Sequence, residues 1–161
     1  MMEKQTNVQE EFMKKAILLA EKSVAKGGGP FGAVIVRDGE IIAEGSNCVT
    51  LDNDPTAHAE VSTIRKACKN LGTFDLSGCE IYTSCEPCPM CLSAIYWARI
   101  GTIYYGCTKH DAKEIGFDDS FIYEQIELKP EKRSIPAKQI LHKEALSAFR
   151  MWEEKEDKIE Y

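Results

Sequence analysis

Two stretches, Pro55-Thr56-Ala57-His58-Ala59-Glu60 and Cys85-Glu86-Pro87-Cys88-Pro89-Met90-Cys91, decide how the rest of the chain is interpreted. Together they supply one imidazole, a carboxylate two residues after it, and a distant pair of thiols about one helical turn apart. A catalytic zinc needs three protein ligands and one further position for water. The sequence therefore predicts a zinc site whose ligands are His58, Cys88 and Cys91.

The chemistry of these residue types supports a catalytic site. A neutral imidazole and two thiolates make a zinc site formally neutral, and such a metal lowers the pKa of a bound water to about 7. Glu60 follows His58 at the start of a predicted helix, within reach of that water, so its predicted role is to move protons. If a helix begins at the cysteine pair, its positive end lowers the free energy needed to keep the thiols ionised.

Other uses of these residues must be weighed. A Cys-x-x-Cys pair also occurs in redox proteins and in structural zinc sites. A structural zinc would take a fourth ligand, for which Cys85 is available, but a ribbon of four cysteines normally has a second Cys-x-x-Cys pair, which the chain lacks. His58 alone would more often be a histidine of the core. His-x-Glu followed by Pro-Cys-x-x-Cys is, however, the signature of zinc-dependent nucleobase deaminases.

Length and composition restrict the number of domains, the cellular compartment and the class of substrate. A chain of 161 residues predicts one domain with a single core. No long apolar run is present, so we expect neither a membrane-spanning helix nor a secretory signal. Seven cysteines, an odd number, indicate reduced thiols in the cytoplasm. A net charge of −6 without a basic cluster favours a small-molecule substrate over nucleic acid.

Hydrophobic periodicity predicts elements in the order α-β-β-α-β-α-β up to about residue 106. Helices that connect successive strands favour parallel strands, so we expect a mixed sheet with helices on both faces. The Gly27-Gly28-Gly29 run precedes a strand and lacks the Lys-Ser/Thr of a phosphate loop, so we interpret it as a bend that lets Phe31 enter a pocket. The predicted helices cover 10–25, 56–70, 87–98 and 145–154, and the strands 31–36, 40–44, 80–83 and 102–106. A helical turn is expected at 111–116, a loop at 117–121 and a connector at 129–136.

On these motifs the chain resembles the bacterial guanine deaminases of the cytidine-deaminase-like superfamily over nearly its whole length. The zinc motif is common to the superfamily, whereas Phe117-Asp118-Asp119-Ser120-Phe121 and the terminal Tyr161 point to the guanine branch. The other segments that carry the resemblance are 29–34, 53–60, 82–91 and 94–99.

The resemblance implies a three-layer α/β/α fold with a mixed five-stranded sheet, one Zn²⁺ per subunit and a homodimer. It also implies one deaminase domain over residues 1–161, with a C-terminal segment, about 117–161, exchanged between subunits so that Tyr161 covers the partner's active site. The proline-flanked connector would suit a hinge for this exchange, and it would equally suit a surface loop within one subunit.

The resemblance also assigns a substrate site. Asn47 would hydrogen-bond the purine and Asp119 would face its N1 and amino group, both of which are donors that a carboxylate complements. Such a pocket would reject adenine. Without the resemblance, Asp119 would be a turn residue, Asn47 a loop residue and Trp97 part of the core. The other substrate-binding residues that the resemblance implies are Phe31, Ala59, Trp97 and Tyr161.

The predicted reaction is the hydrolytic deamination of guanine to xanthine and ammonia, in purine catabolism or salvage. Glu60 would carry a proton from the attacking water to ring N3, and Glu60 or Asp119 would protonate the leaving amine. The alternatives are guanosine or another nucleobase or nucleoside, and a non-catalytic zinc module with a closed four-ligand metal. A tRNA substrate is less favoured because the tail, 152–157, is acidic rather than basic. No chemical role is predicted for Cys48, Cys68, Cys79 and Cys107.

Overall fold

The computed structural model describes residues 7–161, which form two compact units, residues 7–119 and residues 120–161. The first unit contains α1 (Val8–Ala25), β1 (Gly32–Arg37), β2 (Glu40–Ser46), α2 (Val49–Asp52), α3 (Ala59–Leu71), β3 (Cys79–Cys85), α4 (Pro89–Trp97), β4 (Thr102–Cys107) and α5 (Lys109–Glu114). The second contains α6 (Ser120–Glu127), a 3₁₀ turn at Pro130–Lys132, and α7 (His142–Glu154).

The four strands of the first unit form one sheet in the order β2-β1-β3-β4. Strand β1 is antiparallel to both of its neighbours, whereas β3 and β4 are parallel and are joined by α4. Strands β2 and β3, which α3 connects, therefore run in the same direction with β1 between them. The predicted mixed sheet is confirmed.

The expectation of five strands is wrong for the part of the chain that the structure describes. After β4 the chain turns at once into α5, because Thr108 and Asp111 form a capping box in which each side chain accepts the other's backbone N–H. The elements that follow are helical. The sheet therefore ends at β4 in residues 7–161.

Helices cover both faces of the sheet. On one face α1 packs its buried Ala16 against Val34, Val36 and Tyr82. On the other face α3 and α4 pack against the alternate strand residues, which are Ala33, Ile35 and Ile81. Because side chains alternate between the faces of a strand, odd-numbered residues of β3 face α3 and α4. This arrangement confirms three layers in the first unit and brings the starts of α3 and α4 to the same side of the sheet.

The predicted elements are found with shifts of a few residues at their ends. The segment 45–54, expected to be polar and turn-rich, also contains the short helix α2, and α7 begins three residues before the predicted start at Ala145. The turn expected at 111–116 is α5, and α6 begins inside the loop expected at 117–121.

Hydrogen bonds connect α6 to the segment after the 3₁₀ turn in the second unit. Arg133 Nε donates to the carbonyl oxygens of Gln125 (3.0 Å) and Leu128 (3.2 Å), and Ser134 N donates to Gln125 Oε1 (2.7 Å). None of its residues is buried. In the described part of the chain, no helix has both the length and the apolar character needed to cross a membrane.

The close contact between α1 and β1 gives a stability prediction. A Cβ on Gly32 would lie 2.3 Å from the carbonyl oxygen of Ala16 and 2.6 Å from the backbone N of Ala20, so Gly32→Ala must push the helix off the sheet. We expect it to lower the free energy of unfolding by about 1–3 kcal/mol, the usual effect of overpacking. The matched control is Gly101→Ala, because a Cβ there meets its nearest atom at an ordinary 3.7 Å. Thermal melts of both variants check this, and equal melting temperatures would contradict it.

Candidate functional site

The imidazole of His58 is placed by the start of α3. His58 is the N-cap residue, with an extended backbone (φ −68°, ψ 157°), and the helix begins at Ala59. The turn before it is fixed by Asp54 Oδ1, which accepts hydrogen bonds from the backbone N (2.8 Å) and the hydroxyl (2.7 Å) of Thr56. Glu60, the second residue of the helix, is only 5% exposed.

The thiols are placed by the start of α4 in the same manner. Cys88 is the N-cap residue, with an extended backbone (φ −67°, ψ 169°), and Pro89 occupies the first helical position. Proline is well suited to that position because its fixed φ matches the helix and its missing N–H would have no helical partner. Cys91 then lies in the first turn, fully buried.

These two helix starts bring three potential metal ligands together. The Sγ atoms of Cys88 and Cys91 each lie 3.5 Å from Nδ1 of His58, and the three ligand atoms all lie within 4.8 Å of one another. Both cysteines are free thiols, so neither sulfur is held in a disulfide and both can bind a metal. One imidazole and two thiols are ligands that zinc prefers, so the group fits one Zn²⁺.

The same proximity shifts the protonation of the site. The Cys91 thiol and the His58 ring hydrogen-bond to Cys88 and lower the pKa of its thiol to about 4. The neighbouring thiolate in turn raises the pKa of Cys91 and that of His58. A coordinated zinc would hold both thiols deprotonated. Burial raises the pKa of Glu60 above its usual range.

Cys85, the candidate for a fourth ligand, is not part of this group. Its Sγ lies 3.6 Å from the carbonyl oxygen of Thr108, to which it donates, and burial raises the pKa of its thiol to about 12. A thiol that resists ionisation and already has a backbone partner is a poor zinc ligand. The structure therefore favours a site with three protein ligands over the closed structural site.

Thr83 contacts Glu60 and was missed by the sequence interpretation. Its Oγ1 donates to Glu60 Oε1 at 3.1 Å, and both side chains are buried. A signal was present, because Thr83 is two residues before Cys85 in a strand and so lies on the face that meets α3. Glu60, the other partner, lies on the helix predicted over 56–70. The sequence does not show that this helix packs against the face of the strand that carries Thr83.

Asn47 follows β2 and is 6% exposed. Its Oδ1 accepts from the backbone N of Gly29 and of Val49, both at 3.3 Å, which leaves the side-chain NH₂ as the group it can offer to a ligand. A Cβ on Gly28 would lie 2.7 Å from the carbonyl oxygen of Asn47. The glycine run thus lets the backbone approach Asn47, in addition to forming the predicted bend at Phe31.

Phe31 and Asp119 are linked to the site through the segment after α5. The ring of Phe31 packs edge-on against Phe117, with centroids 5.0 Å apart, a contact that the sequence interpretation did not include. Asp118 Oδ2 lies 3.2 Å from Lys113 Nζ. Burial raises the pKa of Asp119, and the charge of Cys88 acts in the same direction, so Asp119 is within electrostatic reach of the metal ligands.

The other predicted substrate residues have varied positions. Ala59 is fully buried beside His58, as the first residue of α3. Trp97 ends α4 and is 66% exposed. It lies six residues after Cys91, which is about 9 Å further along the helix axis, and its substrate role stays a prediction. Tyr161 ends the second unit and is 73% exposed.

An α/β/α unit with a His-Cys-Cys cluster at two helix starts and a buried glutamate beside it defines a zinc-dependent deaminase. Residues 6–107 match the cytidine and deoxycytidylate deaminase zinc-binding region, and the chain belongs to that family. The predicted membership of the superfamily is confirmed.

Among its relatives, guanine deaminase of Bacillus subtilis (strain 168) is 58% identical over 153 residues, which cover 94% of this chain and 98% of that protein. The X-ray structure of the Bacillus subtilis guanine deaminase superposes with a TM-score of 0.92, at the same identity and coverage. A guanine deaminase from Nitrosomonas europaea gives a TM-score of 0.67 at 34% identity, covering 69% of this chain and 65% of that one. The tRNA-specific adenosine deaminase of Aquifex aeolicus (strain VF5) is 45% identical over 96 residues, which cover 60% of this chain and 64% of that protein.

The ligand set gives a prediction about zinc content. Replacing Cys88 or Cys91 with serine removes one of three ligands, so we expect bound zinc per chain to fall at least tenfold after dialysis against a weak chelator. Cys85→Ser is the matched control, because it removes a neighbouring buried thiol that lies outside the cluster. Elemental analysis of the purified variants measures this. Loss of zinc from the Cys85 variant to the same degree would point instead to a closed four-ligand site.

Proposed function

We propose that this protein is a zinc-dependent guanine deaminase, which hydrolyses guanine to xanthine and ammonia in the cytoplasm. The observation that carries the proposal is the 58% identity to a guanine deaminase over 94% of this chain and 98% of that protein. The tRNA-specific relative aligns over 60% of the chain only. The free base is therefore the substrate that the similarity supports.

The metal ligands in this proposal are His58, Cys88 and Cys91. When bound there, zinc supplies an activated water and a Lewis acid beside the carbon that loses its amine. The extended backbones of His58 and Cys88, each ahead of a helix, direct both side chains into the same small volume. The chain thus sets the position of the metal through two rigid helix starts rather than through a mobile loop.

Glu60 is the proposed proton carrier. It accepts a proton as water attacks C2 of guanine, delivers a proton to N3, and takes part in the protonation of the leaving amine. Its burial favours this role, because the raised pKa brings the carboxyl closer to the operating pH than that of a surface glutamate. The second proton of the water comes from the new hydroxyl on C2 as it becomes the carbonyl of xanthine, and it passes to the amine. The C2–N bond then breaks, ammonia leaves, and the carboxylate returns to its starting state.

Asn47 and Asp119 are the proposed groups that recognise the base. The Asn47 amide is oriented by two backbone donors to its oxygen, so its NH₂ can donate to an acceptor of the purine. Asp119 offers an acceptor to the N1–H and amino donors of guanine. The pair therefore matches a base with both kinds of group, and adenine, which lacks a donor at N1, would leave the Asp119 carboxylate unpaired.

The test of the function is ammonia release from guanine, guanosine, adenine, cytosine and cytidine by the zinc-loaded protein. We expect guanine to be the preferred substrate and Glu60→Gln to reduce the rate at least 10³-fold, because the proton carrier is lost. Zinc content is measured in parallel and is expected to be unchanged, since Glu60 is not a ligand. Release from guanosine or cytidine but not from guanine would overturn the substrate. No release from any of the five, with zinc bound, would favour a non-catalytic zinc module.

The two neighbouring aspartates provide a matched pair of variants. Asp119→Asn removes the negative charge and replaces one of the two acceptor oxygens with an NH₂ donor, which cannot pair with the N1–H or the amine of guanine. We therefore expect kcat/KM for guanine to fall about 100-fold or more. Asp118→Asn removes the same charge and disturbs a partly exposed ion pair with Lys113, whose contribution is about 0–1 kcal/mol. Steady-state kinetics of both variants check this. Equal losses in the two would contradict a specific role for Asp119.

We also propose a homodimer in which the C-terminal segment is exchanged and Tyr161 covers the partner's active site. The second unit supports this, because it has no buried residue yet exposes many large apolar side chains. Exposed apolar surface on this scale marks a contact with another protein surface, and a second copy of the chain is the partner that the family resemblance implies. Those side chains are Phe121, Ile122, Ile126, Leu128, Ile135, Ile140, Leu141, Phe149, Met151, Trp152, Ile159 and Tyr161.

The exchange predicts rescue between two inactive proteins. A Glu60→Gln chain has an intact tail, and a chain truncated before Tyr161 has an intact Glu60. If the tail acts on the partner, the mixed dimer contains one complete site, and random pairing after joint refolding restores about a quarter of the wild-type activity. Light scattering establishes the dimer, and the ammonia assay measures the rescue. No rescue in confirmed mixed dimers would mean that the tail covers its own subunit.

A further inference from the structure

Thr83 lies at the centre of the sheet, fully buried, with two polar neighbours. Its Oγ1 is 3.1 Å from Glu60 Oε1 and 3.0 Å from the carbonyl oxygen of Cys85. The hydroxyl therefore joins the carboxylate on α3 to the backbone at the end of β3, where the segment that carries the thiols begins. Both acceptors compete for one hydroxyl proton.

The backbone of Thr83 is firmly held. It lies opposite Ala33 of β1 on one side and Tyr105 of β4 on the other, so β3 is paired along both edges at this residue. Threonine is β-branched, and its restricted χ1 keeps the hydroxyl in a fixed direction. A fixed donor in a paired strand is able to determine the orientation of a flexible carboxylate.

We propose that Thr83 is a positioning residue that orients the Glu60 carboxylate for proton transfer. This inference rests on the proposed function. The backbone N–H of Glu60 and the Cys91 thiol also hydrogen-bond this carboxylate. A thiolate that holds a metal cannot donate, so Thr83 is then the side-chain donor that remains among these partners, and without it the carboxylate is free to turn about its terminal bond. Proton transfer requires hydrogen-bond distances to the groups that exchange the proton. Thr83 touches Glu60 and need not touch the substrate. Its loss should therefore reduce kcat and leave KM for guanine unchanged.

The test compares Thr83→Val, which keeps the branched shape, with Thr83→Ser, which keeps the hydroxyl. We expect the valine variant to lose about 10- to 100-fold in kcat, the effect of losing a hydrogen bond to a charged group, with KM and zinc content unchanged. The serine variant should retain most of the activity. Crystal structures of wild type and the valine variant should show the Glu60 carboxylate turned in the variant only.

Thr63→Val is the matched control, because Thr63 is an equally buried threonine whose Oγ1 donates to the carbonyl oxygen of Ala59 (2.6 Å) and not to Glu60. We expect its kcat to stay within about threefold of wild type, because the hydroxyl that it removes donates to a helix carbonyl and not to Glu60. If Thr83→Val is unstable, Thr83→Ala, judged by circular dichroism, replaces it.

Three outcomes would overturn the positioning role: a hydroxyl-free variant with wild-type kcat, a serine variant as impaired as valine, or an unmoved carboxylate in the crystal. The outcome that would contradict the proposed function is a different one: the wild-type protein would release no ammonia from guanine. The crystallographic comparison still decides the position of Glu60 in that case.

Discussion

The constraint on which the rest of the structure depends is the meeting of two helix N-termini. His58 precedes α3 and Cys88 precedes α4, and their side chains approach to 3.5 Å although 30 residues separate them in the sequence. This is possible because α3 and α4 pack on the same face of the sheet and because β3, which connects them, is held between β1 and β4. Cys88 is the N-cap residue of α4, so the positive end of that helix lies beside its thiol and favours the ionised form. The order of the strands and the layers make this meeting possible, and the meeting determines the position of the site.

Metal binding to this cluster would contribute to the stability of the folded protein. Burial of ionisable groups without partners is unfavourable, and here the buried Cys91 thiol and Glu60 carboxyl lie beside the half-buried His58 imidazole and Cys88 thiol. Without metal the groups compensate one another through hydrogen bonds, and they do so unequally, since the pKa of Cys88 is lowered while those of Cys91 and Glu60 are raised. Zinc would replace this arrangement with coordination of two thiolates. Because the ligands come together only in the folded chain, zinc affinity adds to the free energy of unfolding.

The metal cluster could be predicted from the sequence because each half of it is local. His-x-Glu and Cys-x-x-Cys specify side chains on single helix starts, and periodicity identifies those helices. Local sequence patterns do not predict contacts between segments that are distant in the chain. The bond from Thr83 to Glu60, the two donors to Asn47 and the packing of Phe117 on Phe31 each depend on tertiary packing. The prediction of a fifth strand was wrong for a different reason. Only the family resemblance implied that strand, whereas the capping box at Thr108 determines locally that a helix follows β4.

The residues proposed to carry out the reaction and the acidic residue proposed to select the substrate lie in different parts of the chain. The family match covers residues 6–107, which contain His58, Cys88, Cys91, Glu60 and Asn47. Asp119 lies outside it, beyond α5, in a segment held by Lys113 on Asp118 and by Phe117 on Phe31. A conserved fold does not by itself specify a substrate, and a site that hydrogen-bonds particular groups of the substrate discriminates far more strongly than one that fits shape alone. Relatives that share the metal site can therefore act on different bases. In this chain Asp119, the acceptor that we propose for the donors of guanine, belongs to the segment that follows the shared region.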